Sequence, residues 1–166
     1  GQEKWSAEER VLRSMLDDLP FGATILDIPV GTGRFLPFYG EKGFRAIGMD
    51  ISADMLAKAA AKASGADLRT GDIFSIDVPD KSVDVAVAVR IMNLIDAEDL
   101  KNAFAELQRV ARSRIVTNIR IWKEGTKYRR PQKMPTIIDA IRPGWALARD
   151  EAIHQDDFRM LMLCAG

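Results

Sequence analysis

The most constraining feature of this chain is a junction in which an aliphatic run leads directly into a glycine-bearing turn. The run covers residues 24–26, the turn contains Gly31 and Gly33, and helical spacing begins at residues 34–36. Glycines at a strand-to-helix junction let the backbone come close to a ligand, where a side chain would block it. The junction therefore predicts a β-strand, a ligand-binding turn and a helix in direct succession.

An acidic residue follows this junction at the spacing of a ribose-binding acid. Asp50 ends the apolar run of residues 44–50, and its separation from the turn is near the roughly twenty residues expected between a glycine turn and a ribose-binding acid. A carboxylate there can accept both hydroxyls of a ribose. Alternatively, it serves the start of the next helix, which Ser52 is predicted to cap. The first interpretation, which is favoured, predicts a nucleoside site.

Strand and helix patterns alternate along most of the chain. The strands predicted from apolar runs are residues 24–28, 44–50, 66–70, 83–89 and 115–121. The run at 83–89 is β-branched and small throughout, as a parallel strand buried on both faces requires. Such alternation predicts an α/β fold with three layers, a doubly wound and mostly parallel sheet with helices on both sides.

The two ends of the chain differ from this pattern. Ser6 followed by Glu9 matches a capping box, which predicts that the first helix begins there. Near the C-terminus, residues 134–141 are predicted to form a short helix. Residues 145–149 and 158–164 are predicted to form an antiparallel hairpin.

The acidic residues and glycines together resemble the class I S-adenosylmethionine-dependent methyltransferase family. That family places an acid before the glycine turn, an acid at the end of the second strand and an acid after the third. Here these positions hold Asp27 with Gly31 and Gly33, then Asp50, then Asp72. The resemblance covers most of the chain and implies one Rossmann-like methyltransferase domain over residues 1–166, closed by the hairpin.

The resemblance also implies S-adenosyl-L-methionine as the cofactor. It predicts these cofactor-binding residues: Asp27, Pro29, Gly31, Gly33, Asp50, Ile51, Met55, Asp72, Ile73 and Arg90. In this interpretation Asp72 accepts from the adenine amine while Ile73 packs on the ring. Asp27 either faces the cationic amino group of the methionine moiety or merely orients the turn. Arg90 contacts the cofactor through its backbone or pairs with a surface carboxylate, and Asn93 is a candidate to face the substrate.

Pro29 departs from the family pattern, which usually has glycine at this position. Proline lacks an N–H and fixes φ, so the departure bears on affinity more than on fold. No catalytic base is identified. The single histidine, His154, is expected in an exposed turn, and the lone Cys164 adds no partner for a metal site.

The acceptor is predicted to be a small molecule, with an anionic one suited to the basic residues between 109 and 133. An RNA substrate is less favoured because Lys+Arg and Asp+Glu balance at 24 each. A nicotinamide-dependent (NAD(P)) oxidoreductase and a binding domain without turnover are the remaining alternatives. No apolar run reaches membrane-spanning length, so a cytoplasmic location is expected, and the chain can be one domain of a larger protein.

Overall fold

A computed structural model describes residues 2–62, 65–122, 124, 134–154 and 157–166 of the chain. Its helices are α1 Gln2–Leu16, α2 Leu36–Glu41, α3 Ala53–Ala60, α4 Leu100–Val110 and α5 Met134–Ala140, with a 3-10 turn at Met92–Leu94. Its strands are β1 Thr24–Asp27, β2 Arg45–Asp50, β3 Asp67–Thr70, β4 Val83–Ala88, β5 Ala111–Arg120, β6 Trp145–His154 and β7 Phe158–Ala165.

The strands form one sheet in the order β3-β2-β1-β4-β5-β7-β6. The first five pair in parallel, whereas β7 lies antiparallel between β5 and β6. Because these five strands are parallel, their carboxyl ends lie at one edge, and the strand order reverses between β1 and β4. Ligands bind at such a switch point in open α/β sheets. The predicted mostly parallel sheet with a C-terminal hairpin is confirmed.

Two apolar clusters cover opposite faces of the sheet. Val85 and Val87 of β4 belong to one cluster, together with α1 and α2, and Ala86 and Ala88 belong to the other, with α4 and α5. All four side chains are fully buried. The alternation places β4 at the centre of a three-layer domain, as its apolar sequence predicts.

The predicted start of the first helix is wrong. The helix begins at Gln2, and Ser6 lies inside it, where its hydroxyl donates to the Gln2 carbonyl at 3.0 Å. A hydroxyl four residues along a helix can bond back to the preceding turn, so the Ser6 and Glu9 pair is not a helix cap here. By contrast, Ser52 caps α3 as expected, accepting from the Met55 N–H at 3.3 Å.

Candidate active site

A cavity of about 300 Å³ opens at the carboxyl edge of the sheet, beside β1, β2 and β3 and under the segment that follows β4. This volume is at the lower end of small-molecule pockets. Four predicted cofactor residues line it together, namely Pro29, Ile51, Asp72 and Ile73. The structure thus gathers, in one pocket, residues that lie as far apart in sequence as 29 and 73.

Pro29 does not disrupt the turn in which it stands. The Ile28 N–H donates to the Val87 carbonyl at 2.9 Å, and the Val30 N–H donates to the Met49 carbonyl at 2.8 Å. The residues on both sides of Pro29 therefore tie the chain to β4 and β2. Because the missing N–H falls between these two bonds, the departure from the family pattern leaves the turn intact.

The two glycines of the turn have different roles. Both have left-handed φ, +54° at Gly31 and +71° at Gly33, which L side chains rarely adopt. A Cβ at Gly31 would meet open space, whereas a Cβ at Gly33 would lie 2.9 Å from the Cα of Ala59 in α3. The absence of a side chain at Gly33 therefore lets α3 pack closely against the turn. Gly31 instead remains accessible to a ligand.

Asp50 is bound to the turn. One carboxylate oxygen accepts from the Gly31 N–H at 3.0 Å and the other from the Ser52 N–H at 2.9 Å. The residue is only 5% exposed. A carboxylate has about four lone-pair positions, so each oxygen retains the capacity to accept one more hydrogen bond from a ligand hydroxyl.

Asp27 lies below the turn in a closed, apolar setting. It is 2% exposed, and its carboxylate accepts from the Tyr39 hydroxyl at 3.1 Å. Burial raises the pKa of Asp27 from 3.8 to about 7, with the nearby Asp50 charge adding to the rise and the Tyr39 hydrogen bond opposing it. Burial and the Asp27 charge also raise the pKa of Tyr39. The sequence interpretation did not include Tyr39, although its place on α2 directly after the turn indicated it.

The segment after β3 forms the outer wall of the cavity. Asp72 is exposed, and one of its oxygens accepts from the Phe74 N–H at 2.9 Å. Ile73 points inward at 6% exposure, while Phe74 keeps 44% of its surface exposed at the mouth. Phe74 was not predicted. An aromatic residue immediately after the Asp-Ile pair was the signal for it.

Arg90 is held by a carboxylate that the sequence interpretation missed. Its φ is +65°, its N–H donates to the Asn118 side-chain oxygen at 2.6 Å, and its guanidinium donates to Glu8 at 2.8 Å. Glu8 is fully buried and also accepts from Arg34 and from the Asn118 amide. An acid on the apolar stripe of α1 was the available signal. Arg90 pairs with an internal carboxylate rather than one on the surface.

Trp5 covers this cluster from the first turns of α1. The guanidinium carbon of Arg90 lies 4.6 Å from the Trp5 ring centroid, and that of Arg34 lies 4.8 Å from it. Such contacts between cations and an aromatic face are favourable. Helix α1 is thereby joined to the glycine turn and to the end of β4.

Asn93 is turned toward the backbone of β5. Its amide donates to the Arg120 carbonyl at 3.2 Å, and its oxygen accepts from the Arg120 N–H at 2.8 Å. The side chain thus acts as an additional rung beyond the end of the β-ladder. Asn93 does not line the cavity, and the expectation that it faces the substrate stays a prediction.

The basic stretch divides into two parts. Lys123, Lys127, Arg129, Arg130 and Lys133 lie outside the described residues. The four described arginines all form salt bridges, Arg109 with Asp80 and Glu106, Arg112 with Asp84, Arg114 with Asp18, and Arg120 with Asp157. Their charges are matched internally, which weakens the case for a nucleic-acid surface on this part of the chain.

The remaining predicted groups add no chemistry at the cavity. His154 is the last residue of β6 and is exposed, opposite Phe158 in the hairpin. Within the described ranges, no three histidine, cysteine or acidic side chains are grouped so as to hold a metal ion. No helix in those ranges is long and apolar enough to cross a bilayer.

Comparison with known proteins places this geometry in context. A family model described as a methyltransferase domain matches residues 25–114, more than half of the chain. The malonyl-[acyl-carrier protein] O-methyltransferase of Hamiltonella defensa is 35% identical over 89 residues, covering 54% of this chain and 34% of that protein. The phosphatidylethanolamine N-methyltransferase of Cereibacter sphaeroides is 31% identical over 97 residues, covering 55% and 46%. The matches thus span about a third to a half of these curated relatives.

A solved structure extends the likeness over the whole fold. The magnesium protoporphyrin IX methyltransferase of Synechocystis PCC 6803, determined with bound SAH, superposes with a TM-score of 0.78 at 15% identity. The superposition covers 99% of this chain and 86% of that one. At this identity the match shows a shared fold.

Proposed function

The chain belongs to the methyltransferase domain family, and from that premise we propose that it is an S-adenosylmethionine-dependent methyltransferase acting on a small molecule. The observation that carries the proposal is the cavity at the carboxyl edge, where Asp72 and Ile73 lie beside the turn that Asp50 holds. A nucleoside requires both an apolar slot and acceptors for its hydroxyls and amine, and these residues supply both.

The apolar part of the cavity fits an adenine ring. Ile51, Ile73 and Phe74 offer hydrocarbon and aromatic surface, and Ile51 keeps 75% of its area exposed although it is large and apolar. An exposed apolar wall around a cavity is a usual mark of a ligand site. Asp72 has one oxygen bound to the Phe74 N–H, and in the proposed complex its other oxygen accepts from the exocyclic amine.

The polar part of the site fits the ribose and the methionine moiety. In the proposed complex the spare lone pairs of Asp50 accept from the ribose hydroxyls, next to the open Gly31. Asp27, when ionised, attracts the cationic amino group from beneath the turn. Its pKa of about 7 makes that attraction dependent on pH.

The reaction asks little acid–base chemistry of the chain. When bound, the cofactor supplies an activated methyl group. The protein's part is to align an acceptor lone pair with the methyl carbon, opposite the leaving sulfur, and to exclude water. A carboxylate, or an amine in its neutral form, presents its lone pair without a base. Such acceptors are therefore favoured over a hydroxyl.

The names of the relatives suggest which acceptors are worth testing. Their names give a carrier-linked malonyl group, a phospholipid amine and a porphyrin as the compounds methylated. The matches cover 34% of the malonyl-[acyl-carrier protein] O-methyltransferase and 46% of the phosphatidylethanolamine N-methyltransferase, so acceptor choice is a property for direct measurement. A small or lipid-linked molecule is consistent with all three names, and RNA with none of them.

Calorimetry with S-adenosylmethionine, S-adenosylhomocysteine and NADH tests the proposal directly. We expect binding of the first two and none of NADH. Asp72→Ala should weaken S-adenosylhomocysteine binding by about tenfold, as loss of a hydrogen bond to a carboxylate does. Asp77→Ala is the matched control, because Asp77 is also exposed in the β3–β4 connection but does not line the cavity. NADH binding without S-adenosylhomocysteine binding would instead favour the oxidoreductase alternative.

A methyl-transfer assay separates an enzyme from a binding domain without turnover. Transfer of labelled methyl groups to a panel of amines, carboxylates and short RNAs is expected for amines or carboxylates. Cofactor binding with no transfer to any compound of the panel would favour the binding domain.

A further inference from the structure

The strongest unexplained feature is the group formed by Trp5, Glu8, Arg34, Arg90 and Asn118, here called the arginine cluster. We propose that Arg90 of this cluster binds an anionic group of the methyl acceptor, so that the enzyme selects acceptors bearing a carboxylate or a similar oxyanion. The proposal rests on the proposed methyltransferase function and adds the class of substrate.

The cluster contains more positive than negative charge. In the described part of the chain, Glu8 is the one carboxylate that forms a salt bridge with Arg34 or with Arg90. Two guanidinium groups thus share one buried carboxylate. A ligand carboxylate would complete the charge balance, and Arg pairs well with planar oxyanions through two parallel hydrogen bonds.

Arg90 also has free donor capacity. Its Nε and one terminal nitrogen, Nη2, donate to Glu8. The other terminal nitrogen, Nη1, forms no hydrogen bond with the described residues. The Arg90 side chain is 42% exposed and Trp5 is 49% exposed, whereas the Arg34 side chain is only 18% exposed. Of the two arginines in the cluster, Arg90 is therefore the one that a molecule from solution can reach.

The position of Arg90 suits an acceptor. It lies two residues after the end of β4 and precedes Ile91, which lines the cavity. The cavity is lined in part by the segment that follows β4, and the cluster joins Arg90 of that same segment to Asn118 of β5. A molecule that lies next to the nucleoside pocket, on the side away from β3, would meet Arg90 and the Trp5 ring.

The orientation of Arg90 is fixed before any ligand arrives. The Asn118 side chain accepts from the Arg90 N–H and donates to Glu8, so one amide links the backbone and the counterion of the same arginine. The left-handed φ of +65° at Arg90 is an uncommon conformation for a residue other than glycine. Preorganisation of this kind reduces the entropy that a side chain loses on binding.

The test titrates succinate and its neutral isostere succinamide into the protein by calorimetry, with and without S-adenosylhomocysteine. We expect succinate to bind and succinamide not to bind. Arg90→Gln should weaken succinate binding by at least about tenfold. Arg13→Gln is the matched control. Arg13 also forms a salt bridge, with Glu9, and its guanidinium carbon lies 4.4 Å from the centroid of the Phe38 ring. Equal succinate affinity in wild type and Arg90→Gln, or no succinate binding, would overturn the proposal.

A second arm separates the acceptor from the carboxylate of the cofactor itself. 5′-Methylthioadenosine keeps the nucleoside but lacks the amino-acid carboxylate. Because the predicted cofactor contact of Arg90 is made by its backbone, which the substitution keeps, we expect Arg90→Gln to bind S-adenosylhomocysteine and 5′-methylthioadenosine as wild type does. Selective loss of S-adenosylhomocysteine affinity would assign Arg90 to the cofactor and overturn the acceptor assignment.

A double variant provides the measurement if Arg90→Gln does not fold. If Arg90→Gln unfolds because the buried Glu8 loses a partner, Glu8→Gln with Arg90→Gln removes both charges together. That folded double variant should still fail to bind succinate. Failure of wild type to bind S-adenosylhomocysteine would contradict the methyltransferase proposal separately, because succinate binding to the free protein remains measurable.

Discussion

The carboxylate of Asp50 accepts a hydrogen bond from the backbone N–H of Gly31 at 3.0 Å, which joins the end of β2 to the turn after β1. The residue expected to hold a ribose is therefore also part of the structure that shapes the turn. A second bond to the Ser52 N–H extends the connection to the start of α3. Any change at Asp50 should affect stability as well as binding.

Asp50→Ala should lower both the stability and the affinity for S-adenosylhomocysteine. It leaves two backbone N–H groups without their acceptor, and each unsatisfied buried donor costs about 1–3 kcal/mol. Urea unfolding and calorimetry measure the two effects. Asp54→Ala, on the exposed first turn of α3, serves as the control. An Asp50→Ala protein as stable as wild type would contradict the structural role.

The two turn glycines should respond differently to alanine. Gly31→Ala incurs only the left-handed conformation, about 1–2 kcal/mol, because the space beyond it is open. Gly33→Ala adds a clash with the Ala59 backbone at 2.9 Å and should be clearly more destabilising. Urea unfolding of both variants provides the comparison, and equal losses would show that α3 does not pack as described.

Ionisation of Asp27 should make stability depend on pH. Its folded pKa of about 7 exceeds its ordinary value of 3.8, so the folded state keeps a proton that the unfolded state has lost between these values. Stability should therefore fall as pH rises from about 4 to about 7, by on the order of 4 kcal/mol, and then level off.

Asp27→Asn provides the measurement for this effect. The amide oxygen still accepts from the Tyr39 hydroxyl, but no charge is buried. The free energy of unfolding of Asp27→Asn should exceed that of wild type at pH 8, and the decline between pH 4 and 7 should be smaller. A wild-type protein whose decline with pH is the same as that of the variant would show that Asp27 is not the group responsible.

Phe74 should contribute to binding and little to stability. Its ring is 44% exposed at the mouth of the cavity, so Phe74→Ala should change unfolding by less than about 1 kcal/mol while weakening S-adenosylhomocysteine binding severalfold. Phe21→Ala is the control, since Phe21 is 88% exposed and does not line the cavity. Equal affinities in the two variants would exclude Phe74 from the site.

Much of the architecture could be predicted from local patterns. The apolar run of β4, the glycine turn and the Ser52 cap depend on spacing within a few residues, and the structure agrees with each. The first helix shows the limit of such patterns. Ser6 and Glu9 match a capping box, but that motif has no feature to distinguish a helix start from a helix interior.

At the site, some features were predicted from the sequence and others were not. Position along the strands predicted that Asp50, Asp72 and Ile73 would meet at one edge, because parallel strands place their carboxyl ends together. The partners of Asp27 and Arg90 were not predicted, although each had a local signal. Tyr39 bonds to Asp27, and Glu8 bonds to Arg90, because of how α2 and α1 pack on the sheet.

By itself, the sequence determined the order of strands and helices, the glycine turn and the acids that follow the strands, because these depend on short-range periodicity and backbone preference. Only the tertiary structure decided that α3 packs against Gly33, that the Asn93 side chain bonds to the backbone of Arg120, and that a buried Glu8 pairs with two arginines. Those relationships arise from close packing and from the requirement that buried polar groups find partners. Close packing and the pairing of buried polar groups do not specify, from one sequence, which residue each buried group will contact.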